Sequence, residues 1–305
     1  EPDLGQFFSA DQWQFVQMAV ATHQAVASVE AARGLDLRIG GPAVAGAGSD
    51  LLPNYLEGLR RAGLVPDFVS WHRYPNQFSA PDGPEDPNNP CTSCFAARNP
   101  FTRPDDVVEP EQRVRGLIWA AFPGQAAQID TAVSEWNLSP GGLDLRNDTN
   151  EGAAFSAAAL ISLESSGVDF GIHYSSISDT RPGNYGLVDT AGERTPRYDV
   201  FRRFIAMSGQ RVQIYGADAN AGLWARATVD GNAGEAMISA YGSNPFVAYD
   251  RYLRIAGLGT KQVEASLLTV GSATFEPTAV RREGGDVLVP LPAQSVLHLR
   301  WTDGP

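Results

Sequence analysis

Asp130-Thr131-Ala132-Val133-Ser134-Glu135-Trp136-Asn137 is a short apolar run that ends in a carboxylate, an indole and an amide. Apolar residues at helical spacing flank it on both sides, over Glu109 to Phe122 and over Glu151 to Ser166. A strand framed by helices is the unit of a parallel sheet, because the chain must cross over before it can return in the same direction. The alternation extends outward. Upstream, Gln12 to Ala32 has helical spacing with Ser9 as its N-cap, and Leu35 to Gly40 alternates as a strand. Asp50 to Ala62 is again helical and closes at Gly63, and Asp67 to His72 is a second strand. Downstream, Val168 to Tyr174 reads as a strand and Arg197 to Met207 as the last helix. His72, Glu135 and Tyr174 all stand at the carboxyl ends of their strands, where a (β/α)8 barrel places its chemistry.

Four strands do not close such a barrel, which needs eight. An open half would leave two apolar parallel edges facing water. Residues 1–208 are therefore expected to be the C-terminal half of a (β/α)8 barrel. Strands 1 to 4 are then expected from an N-terminal segment or a separate chain. From Gly209 the pattern changes to short alternating runs: Val212 to Tyr215, Leu223 to Val229, Ala236 to Tyr241, Tyr249 to Ile255, Val263 to Leu268, Val287 to Leu291 and Val296 to Trp301. Turn residues such as Asp230-Gly231-Asn232 separate them, which predicts an antiparallel β-sandwich over 209–305.

Composition narrows the partners. A formal charge of −12, with dispersed Arg and a single Lys at 261, argues against nucleic acid, which requires a basic face. No run reaches the roughly 18 apolar residues of a membrane span. Cys91 and Cys94 form a C-x-x-C in a loop rich in Pro, Asn and Asp. Such a pair is a redox site, half a zinc site or a small disulfide. With no second pair and only four scattered His, a disulfide is the expected reading, and it favours a secreted or extracellular location.

Two acidic residues carry the chemistry. Glu135 ends one strand, and Glu1 opens the segment Glu1-Pro2-Asp3-Leu4. Two carboxylates delivered to one pocket are the minimum equipment for cleaving a glycosidic bond. Trp71-His72-Arg73-Tyr74-Pro75 adds an imidazole and a phenol, suited to binding a sugar hydroxyl or holding a carboxylate ionised. The expected substrate-binding set is His72, Tyr74, Trp71, Trp136, Asn137, Tyr174 and Tyr185. Gly40-Gly41-Pro42-Ala43 lacks the Lys-Ser/Thr of a phosphate loop, and no G-x-S-x-G elbow occurs. Ligands at metal spacing are also missing from the sequence, so neither a metal nor an organic cofactor is expected.

Taken in order, these segments resemble clan A glycoside hydrolases, and family 39 in particular, the β-xylosidase and α-L-iduronidase family. Glu1-Pro2-Asp3-Leu4 is similar to the family's Asn-Glu-Pro-Asn/Asp-Leu motif after barrel strand 4, without the leading Asn. Gly40 to Ala43 looks like its Gly-Gly-Pro-Ala after strand 5, and Asp67 to Pro75 like its Asp-Phe-(Val/Ile)-Ser-x-His-x-Tyr-Pro on strand 6. Ser134 to Asn137 resembles the Thr/Ser-Glu-Trp-Asn motif on strand 7, and Ser178-Asp179 with Gly186 to Tyr198 the stretch past strand 8. The resemblance implies retaining hydrolysis of a glycan or oligosaccharide, with Glu135 as nucleophile and Glu1 as acid/base. Two departures stand out: Ser175 replaces an expected Trp, and the loop after Tyr74 is long. Families 79 and 30 of the same clan are near alternatives. A catalytically inactive carbohydrate-binding or scaffold protein, stacking sugars on Trp71, Trp136 and Tyr74, is the alternative from another class.

If Glu1 began the polypeptide, its own α-ammonium would favour the ionised carboxylate and weaken the acid. That is a second reason to expect an upstream segment.

Overall fold

The computed structural model describes residues 1–75, 102–140, 144–180, 182–242 and 251–303. Cys91 and Cys94 lie outside the described residues. The chain forms two compact units that interleave along the sequence. The first takes Glu1–Arg73, Asp106–Trp136 and Ser165–His173; the second takes Tyr74–Asp105, Asn137–Glu164 and Tyr174–Pro305.

The first unit is built on a four-stranded parallel sheet in the order β1 (Gly40–Val44), β2 (Phe68–Arg73), β3 (Asp130–Trp136) and β4 (Phe170–His173). Helices α1 (Gln12–Arg33), α2 (Leu51–Arg61) and α3 (Glu111–Ala121) belong with it. Helix α2 buries Leu51, Leu52, Tyr55, Leu56 and Leu59 along one stripe, and Gly63 takes the left-handed φ of +71° past its end. Helix α1 buries only Val16 and His23, the latter with Nε2 3.1 Å from the Tyr55 hydroxyl.

Two expectations are corrected here. The N-cap of α1 is Asp11 and not Ser9: the Asp11 carboxylate accepts the Gln14 N–H at 2.9 Å while Gln14 Oε1 accepts the Asp11 N–H at 3.2 Å. This reciprocal pair satisfies two otherwise orphaned donors. The first strand is Gly40–Val44 and not Leu35–Gly40. Leu35 and Leu37 are half exposed, so their alternation with Asp36 and Arg38 marks no buried face. The ladder begins where the backbone of Asp67 donates to the Ile39 carbonyl at 2.9 Å, and Gly40 then pairs with Phe68. A side chain at Gly40 would collide with the Phe68 carbonyl oxygen, so close backbone approach outranks strand propensity at this edge.

The second unit contains α4 (Asn150–Ser165, through Glu164), two short parallel strands β5 (Ile177–Ser178) and β6 (Val188–Asp189), and α5 (Pro196–Ala206). Antiparallel strands follow: β7 (Gln210–Val212), β8 (Leu223–Asp230), β9 (Ala233–Ala240), β10 (Arg251–Ile255), β11 (Gln262–Leu268), β12 (Glu276–Pro277), β13 (Arg281–Glu283), β14 (Asp286–Leu291) and β15 (Ser295–Thr302). They form a six-stranded sheet, β12-β11-β15-β9-β8-β7, and a three-stranded sheet, β10-β14-β13. Alternate residues of the two sheets meet in one core that includes Ile238, Val287, Val289, Leu291, Leu297 and Leu299. The change from mixed α/β to antiparallel pairing falls between Ala206 and Gln210. Strands β12 and β13, exposed and largely polar, have no counterpart in the sequence expectation.

Candidate active site

The site lies in the first unit, at the carboxyl ends of β2 and β3. The two strands pair in register from Phe68↔Asp130 to Trp71↔Val133, then shift, so that His72 faces Glu135 and Arg73 faces Trp136. Such an irregularity re-aims side chains at a strand end. The Ser134 hydroxyl donates to the Trp71 carbonyl at 3.3 Å beside it. Glu1 arrives from the turn in which the Leu4 N–H donates to the Glu1 carbonyl at 3.1 Å. Asp3 ties that turn down, because its carboxylate accepts the Ala45 N–H at 2.9 Å just past β1.

These elements bring Glu1, His72 and Glu135 together. His72 Nδ1 lies 3.0 Å from Glu1 Oε1 and 3.6 Å from Glu135 Oε2. The imidazole is buried, whereas the two carboxylate side chains keep about a fifth of their surface, 21% and 23%. One donor atom from each residue lies within 4.8 Å of the others, and among the described residues this is the one such trio close enough to share a metal ion. Two carboxylates and an imidazole this close can also carry out acid–base chemistry at a single bond.

The structure changes the roles of three residues assigned to the substrate. Trp71 and Trp136 are fully enclosed, and Trp136 packs edge-on to His173 with centroids 5.0 Å apart. Neither indole presents a face to a ligand. Both directly neighbour a site residue in the chain, and neighbouring strand residues point to opposite faces, so the turn of His72 and Glu135 toward the site sends the indoles into the core. Asn137, in the second unit, is also buried. Its amide donates to the carbonyls of Tyr174 at 2.6 Å and Tyr185 at 3.4 Å, and its Oδ1 accepts the Leu138 N–H at 2.7 Å. Little of that amide is left for a sugar.

Tyr74, Tyr174 and Tyr185 are likewise in the second unit. Tyr74 is buried and Tyr174 is 43% exposed. The rings of Tyr174 and Tyr185 meet edge to face at 5.0 Å, and the Tyr185 hydroxyl donates to the Pro140 carbonyl.

Sequence reasoning missed Arg197. Its guanidinium has no exposed surface and donates to Asn137 Oδ1 at 3.1 Å, to the Asn184 carbonyl at 3.1 Å and to the Gly186 carbonyl at 2.9 Å. Burial lowers its pKa to about 10, with Asp148 and Asp144 opposing the shift. One cation thus ties the segment after β3 to the loop at 184–186. Its place in Pro196-Arg197-Tyr198, within a stretch already singled out, was the available signal.

No family model matches the chain. A β-xylosidase of Geobacillus stearothermophilus is 25% identical over 224 residues, which are 69% of this chain and 40% of that protein. The chain spans about two fifths of the length of the curated relatives it matches. Among solved structures, a glycoside hydrolase family 39 enzyme from Xanthomonas axonopodis pv. citri superposes with a TM-score of 0.71 at 21% identity, covering 100% of this chain and 67% of that one. A glucosidase from Croceicoccus marinus gives 0.74 at 21% identity, covering 100% and 68%. The chain is thus similar in sequence to β-xylosidases and in fold to glycoside hydrolases that include family 39 enzymes. No helix among the described residues is long and apolar enough to cross a membrane.

Proposed function

We propose that the protein is a retaining glycoside hydrolase acting on a glycan or oligosaccharide, with Glu135 as nucleophile and Glu1 as acid/base. The observation that carries this reading is the meeting of Glu1, His72 and Glu135, with donor atoms no more than 4.8 Å apart. Retaining enzymes hold their carboxyl groups about 5–5.5 Å apart, whereas inverting enzymes leave roughly 6.5–9.5 Å for a water. The separation here favours direct attack. Glu135 takes the anomeric carbon, Glu1 protonates the leaving oxygen, and Glu1 then activates the water. His72 stands beside both carboxylates.

The same reading treats the first unit's parallel sheet as half of a (β/α)8 barrel and the antiparallel strands as a β-sandwich. A segment supplying the other strands is part of the same proposal. A secreted or extracellular location is proposed with it, on the Cys91 and Cys94 pair alone. A purely carbohydrate-binding protein fits less well, because its stacking platforms Trp71, Trp136 and Tyr74 are enclosed.

A 2-deoxy-2-fluoro glycoside with a good leaving group tests the mechanism. Mass spectrometry should find one sugar on the peptide carrying Glu135, and proton NMR should find the product anomer unchanged. Turnover of aryl glycosides by Glu135→Gln at the wild-type rate would remove the nucleophile assignment.

A further inference from the structure

On the outer face of the six-stranded sheet in the second unit, Ser266 of β11 pairs with His298 of β15, and Glu264 pairs with Arg300. Ala265, Leu297 and Leu299 alternate with them toward the core. Helix α5 brings Arg203 onto this face, where Nη1 donates to Ser266 Oγ at 3.0 Å and to His298 Nδ1 at 2.9 Å. The pairing of β12 with β11 ends at Pro277, and the Thr278 N–H then donates to the Ala265 carbonyl at 3.0 Å. A cleft of about 540 Å³ opens among Arg203, Arg300, Ser266, Thr278, Glu264 and Pro277. That volume suits a small ligand.

The cleft carries more positive than negative charge. Other arginines of this unit sit on carboxylates: Arg202 on Asp199 at 3.0 Å, Arg226 on Glu164 at 2.8 Å and Arg254 on Asp286 at 3.1 Å. Among the described residues Arg203 and Arg300 close no ion pair. Arg300 stands in register between Glu264 and Glu235 without closing on either, and Glu235 lies 3.1 Å from His298. Arg203 spends its hydrogen bonds on two neutral acceptors, because burial first, then the charge of Arg203, pushes the His298 pKa down to about 4. Burial also holds the Arg203 pKa below its ordinary value; Arg202 and Arg300 push the same way, and Asp199 and Glu235 oppose them. Two guanidinium charges thus face one carboxylate, and one positive charge is left unmatched. The hydroxyl hydrogens of Ser266 and Thr278 are uncommitted among the described residues.

We propose that this cleft binds a hydroxylated monocarboxylate, in the form of a uronic acid unit of a glycan. Arg203 and Arg300 receive the carboxylate, whose geometry a guanidinium fork matches. Ser266 and Thr278 add donors. Glu264, which can only accept, takes a ring hydroxyl, and Pro277 lies against the C–H face of the sugar. A dianion such as phosphate would set a second negative charge against Glu264. A neutral sugar would leave the guanidinium charge unmatched. The site requires nothing of Glu1 or Glu135 and stands whether or not the chain hydrolyses a glycan.

Titrations followed by ligand-observed NMR test this on the full natural polypeptide that carries the chain. The probes are D-glucuronate, acetate, methyl β-D-glucoside and inorganic phosphate. Glucuronate is expected to bind tightest of the four. Arg300→Gln should weaken it about ten- to a hundredfold, the usual worth of a hydrogen bond to a charged group, with the melting temperature unchanged because this arginine is exposed and holds no partner. Glu264→Ala should tighten acetate and erase most of the preference for glucuronate over it. Glu135→Gln should bind glucuronate as the wild type does. Absence of glucuronate binding, equal affinity for acetate and glucuronate in the wild type, or tighter binding of phosphate or the glucoside would overturn the proposal. So would a loss of glucuronate binding in Glu135→Gln with none in Arg300→Gln, which would move the ligand to the first unit.

Discussion

Two histidines, one in each unit, stand about 3 Å from a glutamate, and their surroundings set them opposite tasks. In the second unit His298 accepts a hydrogen bond at Nδ1 from the Arg203 guanidinium at 2.9 Å and lies 3.1 Å from Glu235 through Nε2. One donor and one acceptor match one neutral tautomer, and every ring nitrogen is satisfied. Burial, then the charge of Arg203, pushes its pKa down to about 4. In the first unit His72 has two acidic acceptors at a single nitrogen. A satisfied buried network locks a fold, whereas the two carboxylates beside His72 keep about a fifth of their surface open.

The largest effect should separate the two glutamates. Glu135→Gln is expected to reduce turnover of aryl glycosides by roughly four orders of magnitude or more, the scale of losing a nucleophile. Glu235→Gln should leave kcat/KM unchanged and lower the melting temperature. Comparable losses of activity in both variants would erase the distinction.

Next in size is the acid response of the second unit. Because the folded-state pKa of His298 is depressed from 6.5 to about 4, the unfolded chain binds its proton first as pH falls. The stability due to a neutral His298 is complete above about pH 6.5 and drains away toward pH 4, at up to about 1.4 kcal/mol per pH unit. Urea unfolding followed at pH 7.5, 6 and 5 should show this slope, and His298→Gln should flatten it. An unchanged slope in the variant would assign the acid response to other groups. Arg203 deserves the same experiment: Arg203→Met leaves His298 Nδ1 and Ser266 Oγ without their partner. The expected cost is about 1–3 kcal/mol, with no change in kcat/KM.

The meeting of His72 and Glu135 was legible because strand ends carry their own punctuation. Glu135 and His72 each close an apolar run, and the parallel pairing of β2 with β3 then sets them side by side. What the pattern did not convey was which neighbour faces the site. Trp71 and Trp136 look like sugar platforms until the alternation of strand side chains is applied to His72 and Glu135. Arg197 was hidden for the opposite reason: long cations are rarely enclosed, and nothing local announces the carbonyl and amide oxygens that receive it. The first strand was misplaced because Gly40-Gly41-Pro42 has no intrinsic preference for a strand. Its geometry comes from Phe68, a residue 28 positions away in the register Gly40↔Phe68.

That dependence on a distant partner makes Gly40→Ala a sharp probe of the parallel sheet. The new methyl would meet the Phe68 carbonyl, a backbone atom with little room to retreat, and about 1–3 kcal/mol of stability should be lost. A matched change in the antiparallel region, Gly231→Ala, meets no atom within 4 Å but must hold φ near +55°, which a methyl tolerates at a cost of about 1 kcal/mol. Equal costs would mean that the β1–β2 edge yields more readily than its packing implies.

The smallest effect concerns α1, where two caps compete. Asp11, through its reciprocal bond with Gln14, holds the N-cap position expected of Ser9. Asp11→Ala should therefore cost about 1 kcal/mol in chemical unfolding, the usual worth of an N-cap. Ser9→Ala should fall within about 0.5 kcal/mol of zero, as exposed substitutions away from such features do. Gln14→Ala gives the intermediate case, because it removes one of the two bonds and leaves the Asp11 carboxylate on the Gln14 N–H. If Ser9→Ala cost more than Asp11→Ala, the helix in solution would begin two residues earlier, and the turn from Glu1 to Leu4 would sit closer to its first coil.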